Sequence, residues 1–298
     1  MHSQSVRTAV VPAAGLGTRF LPFSKAVPKE LAPLVTTPTI EFVVTEAADN
    51  GIERLLVVVS PGKQALADYF APRPDLEQAL TDKGDIESLE SVRRAAALLE
   101  VAFAEQGEPR GLGDAVARAE RFCAGRPFAV LLPDDLIDER DDLLADMLTV
   151  HAEHGGVVLG LIDVGREAIS AYGCVAPVAG DDGDVVAVAD LVEKPAAADA
   201  PSTLAMIGRY VLPPEIFDAL RETPPGSGGE IQLTDGIRRL VAQGVPAHGV
   251  VFRGRRYDTG NRLEYVKAIV QLAERHPQIG EEFGAWLRGH VGAEGGRG

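Results

Sequence analysis

Cysteine is nearly absent from this chain: Cys123 and Cys174 are the only two in 298 residues, far apart and at no metal-ligand or redox spacing. They read as packing residues of a reducing compartment rather than as chemistry. Lysine is scarce as well, six against 23 arginines, so it is not routine surface decoration here. No apolar run reaches the length of a membrane span, and Met1 to Val10 carries no apolar leader segment. An excess of positive charge is also missing. The 44 acidic and 29 basic residues leave a net charge of −15, which argues against broad binding to nucleic acid or anionic membranes. A soluble, cytoplasmic protein is expected.

What is present is ordinary globular composition, 46% hydrophobic and 24% charged. The length allows roughly two domain-equivalents or one large α/β domain. Val6 to Ala13 is apolar and β-branched and runs into Gly15, reading as a buried strand feeding a glycine turn. Thr37-Pro38 predicts an N-cap with proline at N1, followed by Ile40, Val43, Val44 and Ala47 at helical spacing up to Gly51. Leu55 to Ser60 reads as a second buried strand, so strand, loop, helix and strand alternate as in a parallel, doubly wound sheet. Asp75 to Gln106 reads as a mostly helical insertion carrying Leu89, Val92, Ala96, Leu99 and Phe103. Gly111 to Gly113 opens a further helix. Phe128 to Leu132 is the most apolar strand and ends in Pro133-Asp134-Asp135, and Val157 to Ile162 is a further strand.

The segments Gly173 to Val178, Val185 to Val192 and Thr203 to Leu212 suggest a more antiparallel part. Ile231 to Ala242 and Leu263 to Leu272 read as helices. The expectation is one domain over residues 1–288, with halves at about 6–163 and 164–262, a C-terminal helical region at about 263–288, and a disordered tail at 289–298.

Gly15-Leu16-Gly17-Thr18-Arg19 follows the first strand directly. Glycines there let backbone N–H groups turn inward and cradle an anion. The dinucleotide fingerprint needs a third glycine where Phe20 stands and an acid where Ser60-Pro61 stands. A Walker A loop needs Gly-Lys-Ser/Thr, which is absent. Two glycines alone would be a plain turn, but the neighbourhood is cationic. Met1 to Glu30 holds Arg7, Arg19, Lys25 and Lys29 against the single acid Glu30. Lys25 and Lys29 fall just behind the loop, and a third of the six lysines, Lys194, lies in Val192-Glu193-Lys194-Pro195. Such a set suits a polyphosphate, with backbone and side-chain donors together.

Ala13-Ala14-Gly15-Leu16-Gly17-Thr18-Arg19, followed by Lys25 and Pro28-Lys29-Glu30, resembles the signature of sugar-nucleotide pyrophosphorylases. More closely, the sequence resembles the bacterial UTP–glucose-1-phosphate uridylyltransferase family, from about Val6 to Trp286. Further matches are Gln106 with Gly111-Leu112-Gly113, Leu132-Pro133-Asp134-Asp135, Ala171-Tyr172-Gly173, Glu193-Lys194-Pro195 and Gly208-Arg209-Tyr210. Gly229-Glu230-Ile231-Gln232-Leu233-Thr234-Asp235 and Asp258-Thr259-Gly260-Asn261 complete the series. Each motif is weak alone, and their order is specific. One departure stands out. The family usually shows Lys-Gly-Leu-Gly-His-Ala where this chain has Arg110-Gly111-Leu112-Gly113-Asp114-Ala115, so Asp114 puts an anion close to the expected nucleotide.

The resemblance implies a Rossmann-like doubly wound mixed sheet of the nucleotidyltransferase fold, with a small antiparallel sugar-side region and C-terminal helices. It implies attack by glucose 1-phosphate on the α-phosphorus of UTP, expelling pyrophosphate, with Mg²⁺. A phosphate monoester with a second pKa of about 6 is largely dianionic at pH 7, so no general base is needed. The difficulty is charge, answered by positioning, cations and a hard metal ion. By the same resemblance Arg19 and Lys29 act on the triphosphate and departing pyrophosphate, and Lys194 on the sugar phosphate. Ala13, Ala14, Gly15, Gly17 and Thr18 lie against the nucleotide, and Gln106 and Gly111 read the pyrimidine edge. Asp134, Gly173, Glu193 and Gly208 line the sugar-phosphate side.

Asp134 and Asp258 are the implied metal ligands, since Mg²⁺ takes carboxylate and phosphate oxygens. Read on its own, Asp134 is a turn residue and Asp258 a helix cap ahead of Leu263. Asp135 would support Asp134, and Glu230 would face the sugar or cap its own helix. An amide matches the imide edge of uracil or thymine, so dTTP or another hexose 1-phosphate is the nearest alternative. A non-catalytic sugar-nucleotide-binding homologue is the alternative from another class. A homo-oligomer, dimer or tetramer, follows from the resemblance, with Phe283, Trp286 and Leu287 offering an apolar contact or packing on their own domain.

Overall fold

Val6 to Ala13 delivers the buried strand its composition predicts: β1 (Thr8–Ala13) has every side chain but Pro12 buried. In the computed structural model, which describes residues 5–180 and 183–294, it lies near the middle of the parallel half of a nine-stranded mixed sheet. In chain order the strands are β1, β2 (Pro33–Leu34), β3 (Thr37–Pro38), β4 (Arg54–Val59), β5 (Glu100–Glu105) and β6 (Phe128–Leu131). Then come β7 (Asp135–Ile137), β8 (Val157–Asp163), β9 (Gly173–Pro177), β10 (Val185–Glu193), β11 (Leu204–Leu212), β12 (Ala247–Val251) and β13 (Arg256–Asp258). The sheet runs β5-β4-β1-β6-β11-β8-β12-β10-β9, while β2-β3 and β7-β13 form two small ribbons.

β5, β4, β1 and β6 are mutually parallel. β11 then pairs antiparallel with both β6 and β8. The antiparallel part is therefore not a separate layer: β11 is inserted between strands of the first half, and β10 and β9 form the far edge. Helices cover both faces, so the central strands bury both sets of side chains and read as continuous apolar runs. Ala9, Val11, Leu55 and Val57 enter one core with Val43, Met147 and Ala268, whereas Val10, Leu56 and Val58 enter the other with Val116, Phe217 and Ile237.

Four expectations change. Phe103, read as helical, lies in β5, an edge strand paired in parallel with β4. The two helices of the insertion end at Lys83 and Ala97. The alternation Val101, Phe103 to one core and Ala102, Ala104 to the other is strand periodicity, and the long-range ladder outweighs the local i, i+4 spacing from Leu99. Thr37 and Pro38 pair with Leu34 and Pro33, so the helix starts at Thr39 with Pro38 as its N-cap rather than at N1. Asn261, not Asp258, caps the helix Arg262–Ala273, accepting from the N–H groups of Leu263 and Glu264. The last helix runs Gly280–Glu294, so residues 289–294 of the expected tail are helical and the remainder lies outside the described residues. Cys123 and Cys174 are buried free thiols, in keeping with packing.

Candidate active site

The chain leaves β1 toward β4 on one side and later returns to β6 on the other, so the loops after β1 and β6 meet where the strand order reverses. That crevice, at the carboxyl ends of parallel strands, is where open α/β sheets bind ligands. It receives Gly15 to Arg19 from one side and Pro133-Asp134 from the other.

The first loop turns on Gly17, whose φ of +65° is open to glycine, and a Cβ there would press on the Cβ atoms of Ser24 and Lys29 at 3.2 and 3.3 Å. The Ser24 hydroxyl donates to the Gly17 carbonyl at 2.7 Å. Ala13 and Ala14 are buried beneath the loop, while Gly15, Thr18 and Arg19 stay exposed on it. The second short turn leaves Lys25 exposed, and the third brings the Lys29 ammonium 2.5 Å from Asp134 Oδ2. Burial works against the charge on Lys29, but Asp134 outweighs it and lifts the lysine above its ordinary value. Burial likewise opposes the Asp134 carboxylate, and the charge and hydrogen bond of Lys29 hold it below its ordinary value. Both groups are charged at neutral pH.

Sequence reasoning misses the lysine that braces this loop. Lys63 donates to the carbonyls of Ala13 and Gly15 at 2.5 and 2.9 Å and to the fully buried carboxylate of Glu30 at 2.9 Å. With three N–H bonds, the ammonium ties the end of β1, the loop and the Lys29–Glu30 turn into one unit. The available signal is its rarity: it is a fourth of the six lysines, four residues past the end of β4.

Asp134 and Asp258 converge over Gly260. A Cβ on Gly260 would lie 3.0 Å from Asp134 Oδ2 and 3.2 Å from Asp258 Oδ1, so the glycine leaves open the space both carboxylates border. The β7-β13 ribbon sets this geometry by pairing Asp135 with Asp258, and the Thr259 N–H donates to the Asp134 carbonyl at 2.7 Å. Burial raises the Asp258 carboxyl above its ordinary value, Arg256 offsets part of this, and Asp135 and Asp134 add to it. Asp135 supports the site through the scaffold: its carboxylate accepts from the Arg256 guanidinium and from the Gly208 N–H at 2.7 Å. Gly208 is hence a close-approach position for Asp135, whose Cβ would be 2.8 Å from a Cβ at 208.

Fully buried Arg209 grips Glu46 and the carbonyl of Gly208 below. Among the described residues no cluster of three or more His, Cys, Asp or Glu could hold a metal. Two hard carboxylates over an open space suit a cation that completes its shell with phosphate oxygens and water. Arg19 reaches the same corner through the Gly260 carbonyl at 3.4 Å, and Arg262 holds the Arg19 carbonyl.

Gln106 follows β5 directly, its N–H on the Val59 carbonyl. Its buried amide nitrogen donates to Asp114 Oδ2 at 2.8 Å and to the Gly111 carbonyl at 3.1 Å. The unusual Asp114 thus faces Gln106 and Arg118. Gly111 has φ +98°, and a Cβ on it would strike the Ile231 carbonyl at 2.7 Å. The Ile231 N–H donates to the Arg110 carbonyl and the Gly113 N–H to the Ile231 carbonyl, so Glu230-Ile231 is stitched to this loop.

Gly173 and Glu193 are direct partners between β9 and β10, and a Cβ at 173 would sit 3.0 Å from Glu193 Oε2. Thr234 donates to that carboxylate at 2.6 Å. Lys194 follows with φ +42°, a left-handed conformation rare for a lysine. Its N–H is held by the Tyr172 carbonyl, and its ammonium lies 3.6 Å from Glu193 Oε1 with a largely exposed side chain. Such strain persists where surrounding structure over-determines it. Arg256, over the Tyr172 ring, links this end to Asp135.

A glycine loop, the cations Arg19 and Lys29 and the carboxylates of Asp134 and Asp258 thus gather at the reversal point of the sheet. The sequence profile of the family "Nucleotidyl transferase" matches residues 8–275. A UTP–glucose-1-phosphate uridylyltransferase of Staphylococcus epidermidis is 40% identical over 96% of this chain and 98% of its own. The enzyme YngB of Bacillus subtilis, with the same activity name, is 42% identical over 95% of both chains. Among solved structures, a UTP-bound UGPase from Acinetobacter baumannii superposes with TM-score 0.87 at 35% identity, covering 95% of this chain and 98% of that one. A UDP-glucose pyrophosphorylase complexed with UDP-glucose gives TM-score 0.81 at 35% identity, covering 91% and 100%. The chain belongs to the nucleotidyl transferase family, among the bacterial UTP–glucose-1-phosphate uridylyltransferases, and is an enzyme of that class.

Proposed function

We propose that this chain makes UDP-glucose and pyrophosphate from UTP and α-D-glucose 1-phosphate, with Mg²⁺. The observation that carries the reading is the meeting of Lys29, Asp134, Asp258 and Arg19 where the strand order reverses, in a chain whose relatives bear that activity in their names.

In the reaction, an oxygen of the sugar phosphate bonds to the α-phosphorus of UTP as the bond from that phosphorus to the bridging oxygen of the β-phosphate breaks. Pyrophosphate leaves with the electron pair. The nucleophile is already anionic, so the protein's work is to hold two anions in line and to stabilise charge moving onto the leaving group. Backbone N–H groups of the Gly15–Gly17 loop, with Arg19 and Lys29, bind the triphosphate and follow the charge to pyrophosphate. Lys194 offsets the charge of the attacking phosphate, and Glu193, oriented by Thr234, accepts from sugar hydroxyls. Gln106 and Gly111 meet the pyrimidine. Asp134 and Asp258 would hold Mg²⁺, which supplies charge neutralisation to phosphate oxygens.

The setting follows from the same reading. Two buried free thiols suit the cytoplasm, and among the described residues no helix is long and apolar enough to cross a membrane. Exposed Leu263, Val266, Trp286 and Val291 on the two C-terminal helices suit a homo-oligomer. The test is pyrophosphate release over a grid of nucleoside triphosphates and sugar 1-phosphates. UTP or dTTP with glucose 1-phosphate should lead, and equal rates with ATP would sink the reading.

A further inference from the structure

Within Arg110-Gly111-Leu112-Gly113-Asp114-Ala115, Asp114 departs from the motif this stretch resembles, and its contacts give that departure a task. Gln106 is 3% exposed, so its amide does not turn freely. Two groups face its nitrogen, Asp114 Oδ2 at 2.8 Å and the Gly111 carbonyl at 3.1 Å. A carbonyl and a carboxylate oxygen paired with Arg118 are both acceptors, so chemistry decides the orientation of the amide: the NH₂ must point at them. Both N–H bonds are then engaged, and the group Gln106 has left for a ligand is Oε1, an acceptor.

Asp114 is fixed in turn. Arg118, one helical turn on, reaches its two oxygens at 3.0 and 3.2 Å. The Gly111 carbonyl cannot drift away, because the loop is laced to Ile231 and Gly111 has no space for a Cβ.

We propose that Asp114, held by Arg118, is a positioning residue that locks the Gln106 amide in one orientation and so makes the site select an imide base over cytosine. This rests on the proposed function, in which the pyrimidine lies at Gln106. Uracil and thymine carry an N3–H that can donate to Oε1. Cytosine has a bare N3, which would meet Oε1 lone pair to lone pair. A glutamine free to turn would accommodate cytosine by presenting its NH₂ instead. The carboxylate removes that option, whereas a neutral side chain that can both donate and accept would not. The mechanism is selection by an unpaired polar contact in the wrong complex, the kind of discrimination that hydrogen bonding supplies best.

The experiment compares wild type, Asp114→Asn, Arg118→Met and Gln106→Ala by calorimetric titration with UTP and CTP, pyrophosphate serving as a ligand that lacks a base. Asp114→Asn keeps the size of the side chain but can donate to a turned Oε1. It should weaken UTP about 5- to 10-fold and tighten CTP, narrowing the UTP/CTP affinity ratio by at least tenfold, on the scale of one hydrogen bond. Pyrophosphate binding should be unaltered, and turnover with glucose 1-phosphate should show the loss in KM for UTP rather than in kcat. Arg118→Met should shift the ratio in the same direction by about 3-fold, and it carries the test if Asp114→Asn folds poorly. Asp114→Glu, still an acceptor, should restore part of the ratio. A wild-type ratio in Asp114→Asn, with the ratio lost in Gln106→Ala, would overturn the lock while leaving the base reading intact. An unchanged ratio in Gln106→Ala as well would overturn both.

Discussion

The two ends of the crevice are built differently. At the end proposed for the nucleotide, side chains arrive already tied: Lys29 to Asp134, Lys63 to Glu30 and two loop carbonyls, Gln106 to Asp114 and Gly111. At the end proposed for the sugar, Glu193 is oriented by Thr234, but Lys194 reaches outward with its ammonium 3.6 Å from one carboxylate oxygen. Preorganisation lowers the ordering cost of binding, so the first end should take its ligand with little rearrangement and the second should tighten only when the sugar phosphate arrives. The contrast also predicts how substitutions divide. Changes at the tied end should disturb charge stabilisation or nucleotide affinity, and changes at the loose end should act on the sugar phosphate and the transition state.

The largest effect belongs to the tied end. Asp134→Asn should fold normally yet lose turnover by on the order of 10²-fold or more, the scale of removing a main electrostatic stabiliser. It also frees the Lys29 ammonium, so UTP affinity measured without Mg²⁺ should hold or rise while kcat collapses. Steady-state kinetics at saturating Mg²⁺ decide it, and near-wild-type kcat would remove Asp134 from the chemistry.

Lys194→Ala comes next and tests the loose end. Its kcat/KM for glucose 1-phosphate should fall about 10- to 100-fold, the range for losing a charge-assisted contact. The loss should divide between a higher KM and a lower kcat, because the same charge serves the transition state. Lys194→Arg should rescue only in part, since a planar, delocalised guanidinium does not reproduce a compact ammonium point charge. Calorimetric titration of UTP into the Ala variant should match wild type. If UTP affinity collapses and glucose 1-phosphate binding is untouched, the two ends have been assigned the wrong way round.

Much of this contrast is legible in the amino-acid sequence itself, because the parallel strands announce themselves as apolar runs and the loop motifs occur in a specific order. β1, β4 and β6 bury both faces, so their identity is local and survives in composition. Phe103 misleads because an edge strand with small alanines between its larger side chains also satisfies helical spacing. What favours the strand is the ladder to β4, more than 40 residues distant in sequence. The Lys63 brace is hidden for a similar reason, since its partners Ala13, Gly15 and Glu30 lie 33 to 50 residues away. Asp114 is visible as a departure, but an unusual residue type does not say which way its carboxylate points. Only the approach of Gln106 and Arg118 turns an anion near the proposed nucleotide site into a support for an amide.

The smallest effect on ligand binding comes from loosening the tied end without touching its charges toward the ligand. Glu30 is 1% exposed, and Lys63 gives it its ammonium. Lys63→Met leaves that carboxylate buried and uncompensated, which should cost about 3 kcal/mol of stability in urea unfolding. Glu30→Gln added to Lys63→Met removes the buried charge and should return most of that stability. The loop is another matter, because the carbonyls of Ala13 and Gly15 still lack the ammonium that held them. UTP affinity in the double variant should therefore remain roughly 2- to 10-fold below wild type, the worth of one or two ordinary hydrogen bonds. Glucose 1-phosphate binding should not change. Calorimetry with each ligand on both variants separates the two roles of Lys63. Recovery of stability together with wild-type UTP affinity would mean that Lys63 only neutralises Glu30, and the loop would then owe its shape to Gly17 and Ser24 alone.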